Sequence, residues 1–215
     1  SAFINADVDG MVFGAFASYI VNAEKNVIVS GGVTYGDYEY DGTRSGAING
    51  VSSFSGVDAT AWDVYAEVQG DVYNANRLRL TPVFGLHYIN SDVDGFTETG
   101  GLLPLAVGSI DDNALLAELE LRAEYAVSDT FLVNGSIGYT HDFMESDRDV
   151  NADFVDGENP FSVRVNGFSE DIFTLGVGAI WYATEALAFG VNYRAEFGSE
   201  QKTTNSFGIG ASYSF

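Results

Sequence analysis

The sequence contains no cysteine, and only two histidines and three prolines among its 215 residues. Without thiols there is no disulfide, thiolate metal site or cysteine nucleophile, and two imidazoles leave little for metal or acid–base chemistry. Basic residues are scarce as well. Nine Lys and Arg stand against 31 Asp and Glu, a formal net charge of −22. So few cations cannot build the basic face that phosphate neutralisation needs, which argues against nucleic acid as a partner. Long apolar runs are also missing, since no stretch approaches the roughly 20 apolar residues of a spanning helix. The opening residues Ser1 to Asp7 lack the basic flank and apolar run of a signal peptide. None of this excludes a membrane, because a β-barrel hides its apolar residues in alternation.

What the chain does have is aromatic surface and glycine: 16 Phe, 12 Tyr, 2 Trp and 25 Gly. A disordered chain does not carry so many aromatics. They fall at every second position. From 115 to 126 one face carries Leu115, Ala117, Leu119, Leu121, Ala123 and Tyr125, and the other Glu118, Glu120, Arg122 and Glu124. A period of two separates these sets where a helical period would not. The last segment alternates likewise, with Phe207, Ile209, Ala211, Tyr213 and Phe215 opposite serines and glycines. The same reading predicts about nine strands, near 10–22, 27–40, 57–73, 77–91, 114–127, 130–143, 171–183, 186–198 and 204–215. Strands of this length exceed the 5–6 residues usual in soluble sheets and suit a tilted bilayer crossing.

Tight polar turns at 22–26, 73–76, 126–129 and 183–185 alternate with long polar loops at 41–56, 92–113 and 144–170. Short turns at one rim and long loops at the other describe an antiparallel, up-and-down transmembrane β-barrel. A soluble barrel or sandwich would show the same alternation with its apolar face inward. Aromatics at strand ends (Tyr19, Tyr35, Trp62, Tyr88, Tyr125, Tyr139, Trp181, Tyr193, Tyr213) favour the membrane version, as interfacial girdles. The charged residues left for an inward face are Asp63, Glu67, Arg79, His87, Glu118, Glu120, Arg122, Glu124, Arg194 and Glu196. Arg122 needs a partner there, and the expected candidates are Glu67 or Glu196 on neighbouring strands, or a polar segment filling the pore.

The terminal Phe215, with Tyr213 two positions before it, resembles the C-terminal signal read by the bacterial barrel-assembly machinery. A second resemblance covers about Gly10 to Phe215 and points to the translocator domain of classical autotransporters. Residues 82–88, Pro-Val-Phe-Gly-Leu-His-Tyr, resemble that family's Pro-aromatic-Gly-Leu-x-Tyr strand, and Gly95-Phe96-Thr97-Glu98-Thr99-Gly100 its G-F-x-E-x-G segment. Residues 171–178 and Tyr193 to Phe197 are similar to its penultimate hairpin and Y-x-x-x-F strand. The resemblance implies a twelve-stranded barrel in the bacterial outer membrane, with long loops extracellular and the C-terminus at the periplasmic rim. It also implies a linker helix through the pore, an exported passenger, and contacts with outer-membrane lipid and lipopolysaccharide. By that count 1–215 is one barrel domain lacking its first three strands, the pore helix and the passenger. A stand-alone porin-like or structural barrel is the competing reading.

Catalysis finds little support. His141 and Asp142 lie near a loop rim, but adjacent strand residues point to opposite faces. No serine sits in a recognisable nucleophile context. The acidic run Asp142, Glu145, Asp147, Asp149, Asp153, Asp156 and Glu158 has no EF-hand or nonapeptide spacing, and reads as a solvated face rather than a Ca²⁺ site. No cofactor is expected.

Overall fold

The computed structural model describes residues 2–46, 50–144, 148–155, 157, 160–165, 170–199 and 203–214. Nine long strands, joined in chain order, make one antiparallel sheet: β1 (Ala2–Asn22), β2 (Val27–Gly46), β3 (Gly50–Gln69), β4 (Leu78–Val93), β5 (Ile110–Ala126), β6 (Phe131–Asp142), β7 (Asp171–Tyr182), β8 (Leu187–Gly198) and β9 (Thr203–Tyr213). Each pairs with its sequence neighbours, β1 and β9 stand at the two ends of the path, and the sheet curls into a half-barrel. The fold class and the nine strands agree with the reading of the alternation.

Strand lengths divide the wall. Strands β1 to β3 have 20 or 21 residues, whereas β6 to β9 have 11 or 12. At about 3.3 Å per residue the tall side measures about 66 Å and the short side about 40 Å. Part of what reads as loop is therefore strand. The 41–56 region continues β2 to Gly46 and starts β3 at Gly50, with a bulge at Gly56 (φ 63°) that lets Gly42 face Phe54. Alternation fails as a signal there because Asp37, Glu39 and Asp41 alternate with Tyr38 and Tyr40, leaving neither face clearly apolar. β1 likewise begins at Ala2 rather than near 10.

The short turns lie at one rim. Between β3 and β4 a two-residue hairpin at Asn76 and Arg77, both at positive φ, joins Tyr73–Ala75 to the start of β4. Such a turn follows the twist of the strands it connects. At the other rim the loops fold on one another. Phe161–Val165, Arg148–Phe154, Leu105–Val107 and Phe96–Thr97 form a second, four-stranded antiparallel sheet in that order, while Thr99–Gly100 pairs with Ser52 and Ser53 of β3. The segments 92–113 and 144–170, polar loops by sequence, thus carry short strands of their own. Glu145, Asp147, Asp156, Glu158 and Phe215 lie outside the described residues.

Large apolar side chains are exposed as a rule. Leu119 keeps 61% of its surface, Val177 59% and Ile209 77%, and Leu121, Phe189 and Val191 are also open. The buried set is small and consists mainly of Val57, Ala59, Val83 and Ala114, on the opposite face. No soluble domain could leave so much apolar surface in water. The fold positions a wall with one apolar and one polar side.

Candidate functional site

Directly opposed residues of neighbouring strands share a face, so the register sorts every side chain. All ten charged residues singled out above fall on the polar face. They also fall into rows. Thr81, Arg122, Ser136, Gly176, Arg194 and Ser206 are opposed in sequence across β4 to β9. The next row toward the loops carries Val83, Glu120, Gly138, Thr174 and Glu196, and the next toward the turns Arg79 and Glu124. A row with two arginines thus lies between a row holding Glu120 and Glu196 and a row holding the Arg79–Glu124 pair, and small residues fill the space between the two arginines.

This arrangement corrects the expected partner of Arg122. Glu67 lies opposite Gly85 and Glu196 opposite Thr174, whereas Arg122 faces Thr81 and Ser136, which carry no charge. The guanidinium folds along its own strand instead. Its Nε donates to Glu120 at 3.0 Å and its Nη1 to Gln69 of β3 at 3.2 Å, across β4. Arg194 repeats the pattern, donating to Glu196 at 2.9 Å and reaching to 3.9 Å from Glu118. That second contact spans β6 and β7, which side chains manage where a face converges on the inside of a curl. Arg79 pairs directly with Glu124 across the strands. His87 stacks on Tyr65 with ring centroids 5.5 Å apart, and its Nδ1 lies 3.7 Å from Asp63. Glu120 is nearly buried in this network.

The apolar face changes character toward the loop rim. Val33, Val64 and Tyr88 form one row, followed by Phe13, Tyr35 and Trp62. Beyond these stand carboxylates, Asp9–Glu39–Asp58 and Asp92–Asp111, each directly opposed to the next. The hydrogen bond between Asp92 and Asp111 lifts the Asp92 carboxyl above its usual range. Aliphatic, aromatic and acidic rows in succession are the profile of a strand leaving a bilayer.

The G-F-x-E segment packs against the tall wall. Glu98, 4% exposed, takes Arg44 of β2 in a bidentate grip, Nε to Oε1 at 2.7 Å and Nη2 to Oε2 at 2.6 Å. The amide of Leu105 also donates to Glu98 at 2.9 Å, and Arg44 donates to the Leu103 carbonyl. Phe96 lies 4.5 Å from Phe54, ring to ring. Burial pushes the Glu98 carboxyl up, but the Arg44 and Leu105 hydrogen bonds and the Arg44 charge together hold it below the ordinary carboxylate range. A depressed carboxyl contributes stability that is complete above its unfolded pKa and lost as pH falls through the folded value. The clasp is therefore expected to survive acidification through the usual glutamate range and open only below it. A carboxyl titration by NMR checks this, and a Glu98 midpoint at or above the ordinary value contradicts it.

Gly95 has a tighter role. A Cβ there would stand 2.8 Å from the Val107 carbonyl oxygen and 3.0 Å from the Ser109 amide, both backbone. Gly95→Ala is expected to cost about 1–3 kcal/mol and loosen Phe96–Thr97 from Leu105–Val107. Faster proteolysis within 94–109 would report it.

Near the loop rim His141 turns to the apolar face and its Nδ1–H donates to the Asp171 carboxylate at 3.0 Å, while Asp142 turns to the polar face. Asp171 lies between His141 and Ser199, and its backbone amide donates to the Ser199 hydroxyl oxygen. A proton relay needs the histidine in the middle, so this is not a nucleophile–base arrangement. Tyr213 is exposed on the apolar face opposite Leu187. Among the described residues no three acidic or imidazole groups converge on a common metal position.

The model of the autotransporter beta-domain matches residues 4–194. The chain belongs to the autotransporter β-domain family. It is an outer-membrane β-barrel protein of the secretion type. Solved structures agree on the fold. The translocator domain of autotransporter NalP from Neisseria meningitidis is 21% identical over 99% of this chain and 68% of its own, with a TM-score of 0.73. The CymD monoaromatic hydrocarbon channel is 14% identical over 100% of this chain and 68% of its own, at 0.59. The Ralstonia pickettii toluene transporter TbuX follows at 14% identity, 98% and 60% coverage, and 0.58. No curated protein sequence matches this autotransporter β-domain. Sequence reasoning found the family and the polar face, but missed Arg44, whose signal was only its pairing distance in space to Glu98.

Proposed function

We propose that this β-domain anchors a passenger in the outer membrane and exports it along the polar face, which lines the lumen of the complete barrel. The observation that carries the reading is the sorting of all ten charged residues onto one face of a sheet whose other face is apolar and open. Water, an extended chain or a linker helix meets the arginine and carboxylate rows, and lipid meets the other side. Strands outside this chain join β1 and β9 and complete the twelve-stranded family barrel. The long loops are extracellular, the hairpin turns periplasmic, and lipopolysaccharide faces the aromatic and acidic rows near the loop rim. Phe215 and Tyr213 serve as the signal for the barrel-assembly machinery.

The test is a passenger-exposure assay on the full-length protein together with planar-bilayer conductance. Surface-exposed passenger that disappears when polar-face charges are removed supports export. A large open conductance with no exported upstream domain would instead identify a passive pore.

A further inference from the structure

The polar face is not polar throughout. Phe16 of β1 stands in one row with Gly32, Tyr65 and His87, and Ile20 in one row with Ile28 and Gln69, so both share the face that carries the charges. Alternation along β1 puts Ile4, Val8 and Val12 on it as well, with only small residues between them. Tyr65 lays its ring over Gly32, and Tyr38 lays its ring over Gly10 and Gly36, which carries the apolar surface across β2. Among the described residues of β1 and β2 the only charge on this face is Arg44, near the loop rim. The next are Asp63 and Glu67 of β3. The inner wall therefore has two sectors, apolar on β1 and β2 and charged from β3 to β8.

The apolar sector is uncovered. Phe16 keeps 82% of its surface, Val12 61% and Ile20 60%. Apolar surface open on this scale marks a contact. From Val12 to Ile20 the column runs about 26 Å along the strand, and its outward neighbours Phe13, Ala15, Ala17 and Tyr19 face the lipid side. Lipid is therefore on the other side of β1. The curl turns the column toward the charged strands, so whatever covers it has the arginine and carboxylate rows behind it. Those rows are already paired within themselves, Arg122 with Glu120, Arg194 with Glu196 and Arg79 with Glu124. They call for polar groups rather than for a countercharge. A small apolar solute meets one sector only. A polypeptide, which carries apolar and polar side chains on one backbone, meets both.

We infer that Val12, Phe16 and Ile20 form an apolar track for the polypeptide inside the passage, and that the passage sorts its side chains, apolar ones to β1 and polar ones to β3–β8. The track rests on the reading that the polar face lines the passage, so the test must separate the two.

The chain has no cysteine to compete, so Val12→Cys reports from the track and Ser136→Cys from the charged sector. Each is introduced into the full-length protein with its passenger stalled in transit. Single cysteines are then placed in turn along the stretch held in the passage, and the rates of disulfide formation are measured. From Val12→Cys, positions of apolar residues in that stretch are expected to pair about tenfold faster than positions of polar ones, and from Ser136→Cys the order is expected to reverse. Phe16→Gln together with Ile20→Gln is expected to abolish the preference seen from Val12→Cys. Heat-modifiable gel mobility establishes that the barrel is folded, and should the double replacement fail to fold, the comparison of Val12→Cys with Ser136→Cys decides alone. Equal rates at apolar and polar positions from Val12→Cys overturn the track, as does a preference that survives the double replacement in a folded barrel. Disulfides from Ser136→Cys with none from Val12→Cys overturn it too and leave the passage standing. No disulfide from either position sinks the polar passage itself, and the track with it.

Discussion

Arg122→Leu is expected to destabilise the barrel by about 2–3 kcal/mol. Removing one member of a buried pair costs about 3–5 kcal/mol, and the figure is reduced here because the guanidinium is 43% exposed and water reaches it. The mechanism is specific: Glu120, with 4% of its side-chain surface open, would lose its cation, and Gln69 would lose a donor. The companion variant Glu120→Gln with Arg122→Leu removes both charges and should recover most of the loss. Urea unfolding in lipid vesicles measures both. A single variant as stable as the parent, or a double variant no better than the single, contradicts the pairing.

The neighbouring residue gives the opposite kind of result. Leu121 points to the apolar face beside Pro82 and Ile137 and has no polar group to meet an added charge. Leu121→Arg is expected to cost about 2–4 kcal/mol, the range for arginine on the lipid side near the bilayer midplane. Leu121→Val should do little. In detergent micelles, where a guanidinium reaches water easily, the arginine penalty should shrink. The same penalty in micelles and in a bilayer would mean that Leu121 packs against protein.

Much of the wall was legible because a lipid-facing strand has a simple rule. Leu119 and Leu121 against Glu118, Glu120 and Arg122 leave one assignment possible, and a one-residue slip would put arginine into lipid. The rule expires where the strand leaves the membrane. From Asp37 to Gly46 both faces meet water or a loop and the alternation fades, so 41–56 reads as loop although the pairing resumes past the Gly56 bulge and joins β1, β2 and β3 to Gly46. Arg122's partner escaped for a related reason. The interstrand neighbours of Arg122, Thr81 and Ser136, carry no charge, so the guanidinium folds back along its own strand to Glu120, and the register that sets those neighbours is not numbered by composition. Glu98 was picked out by its segment, but its partner lies 54 positions away in sequence, and only the fold of the loop onto β2 brings them together.

The most direct test of the translocator account is site-specific photocrosslinking while a passenger is stalled in transit. A photoreactive residue replaces Ser136 or Gly176 on the polar face and, separately, Ile137 or Val177 one position along each strand. The account predicts passenger adducts from Ser136 and Gly176 and lipid adducts alone from Ile137 and Val177. Passenger adducts from Ile137 and Val177, with none from Ser136 and Gly176, would contradict it.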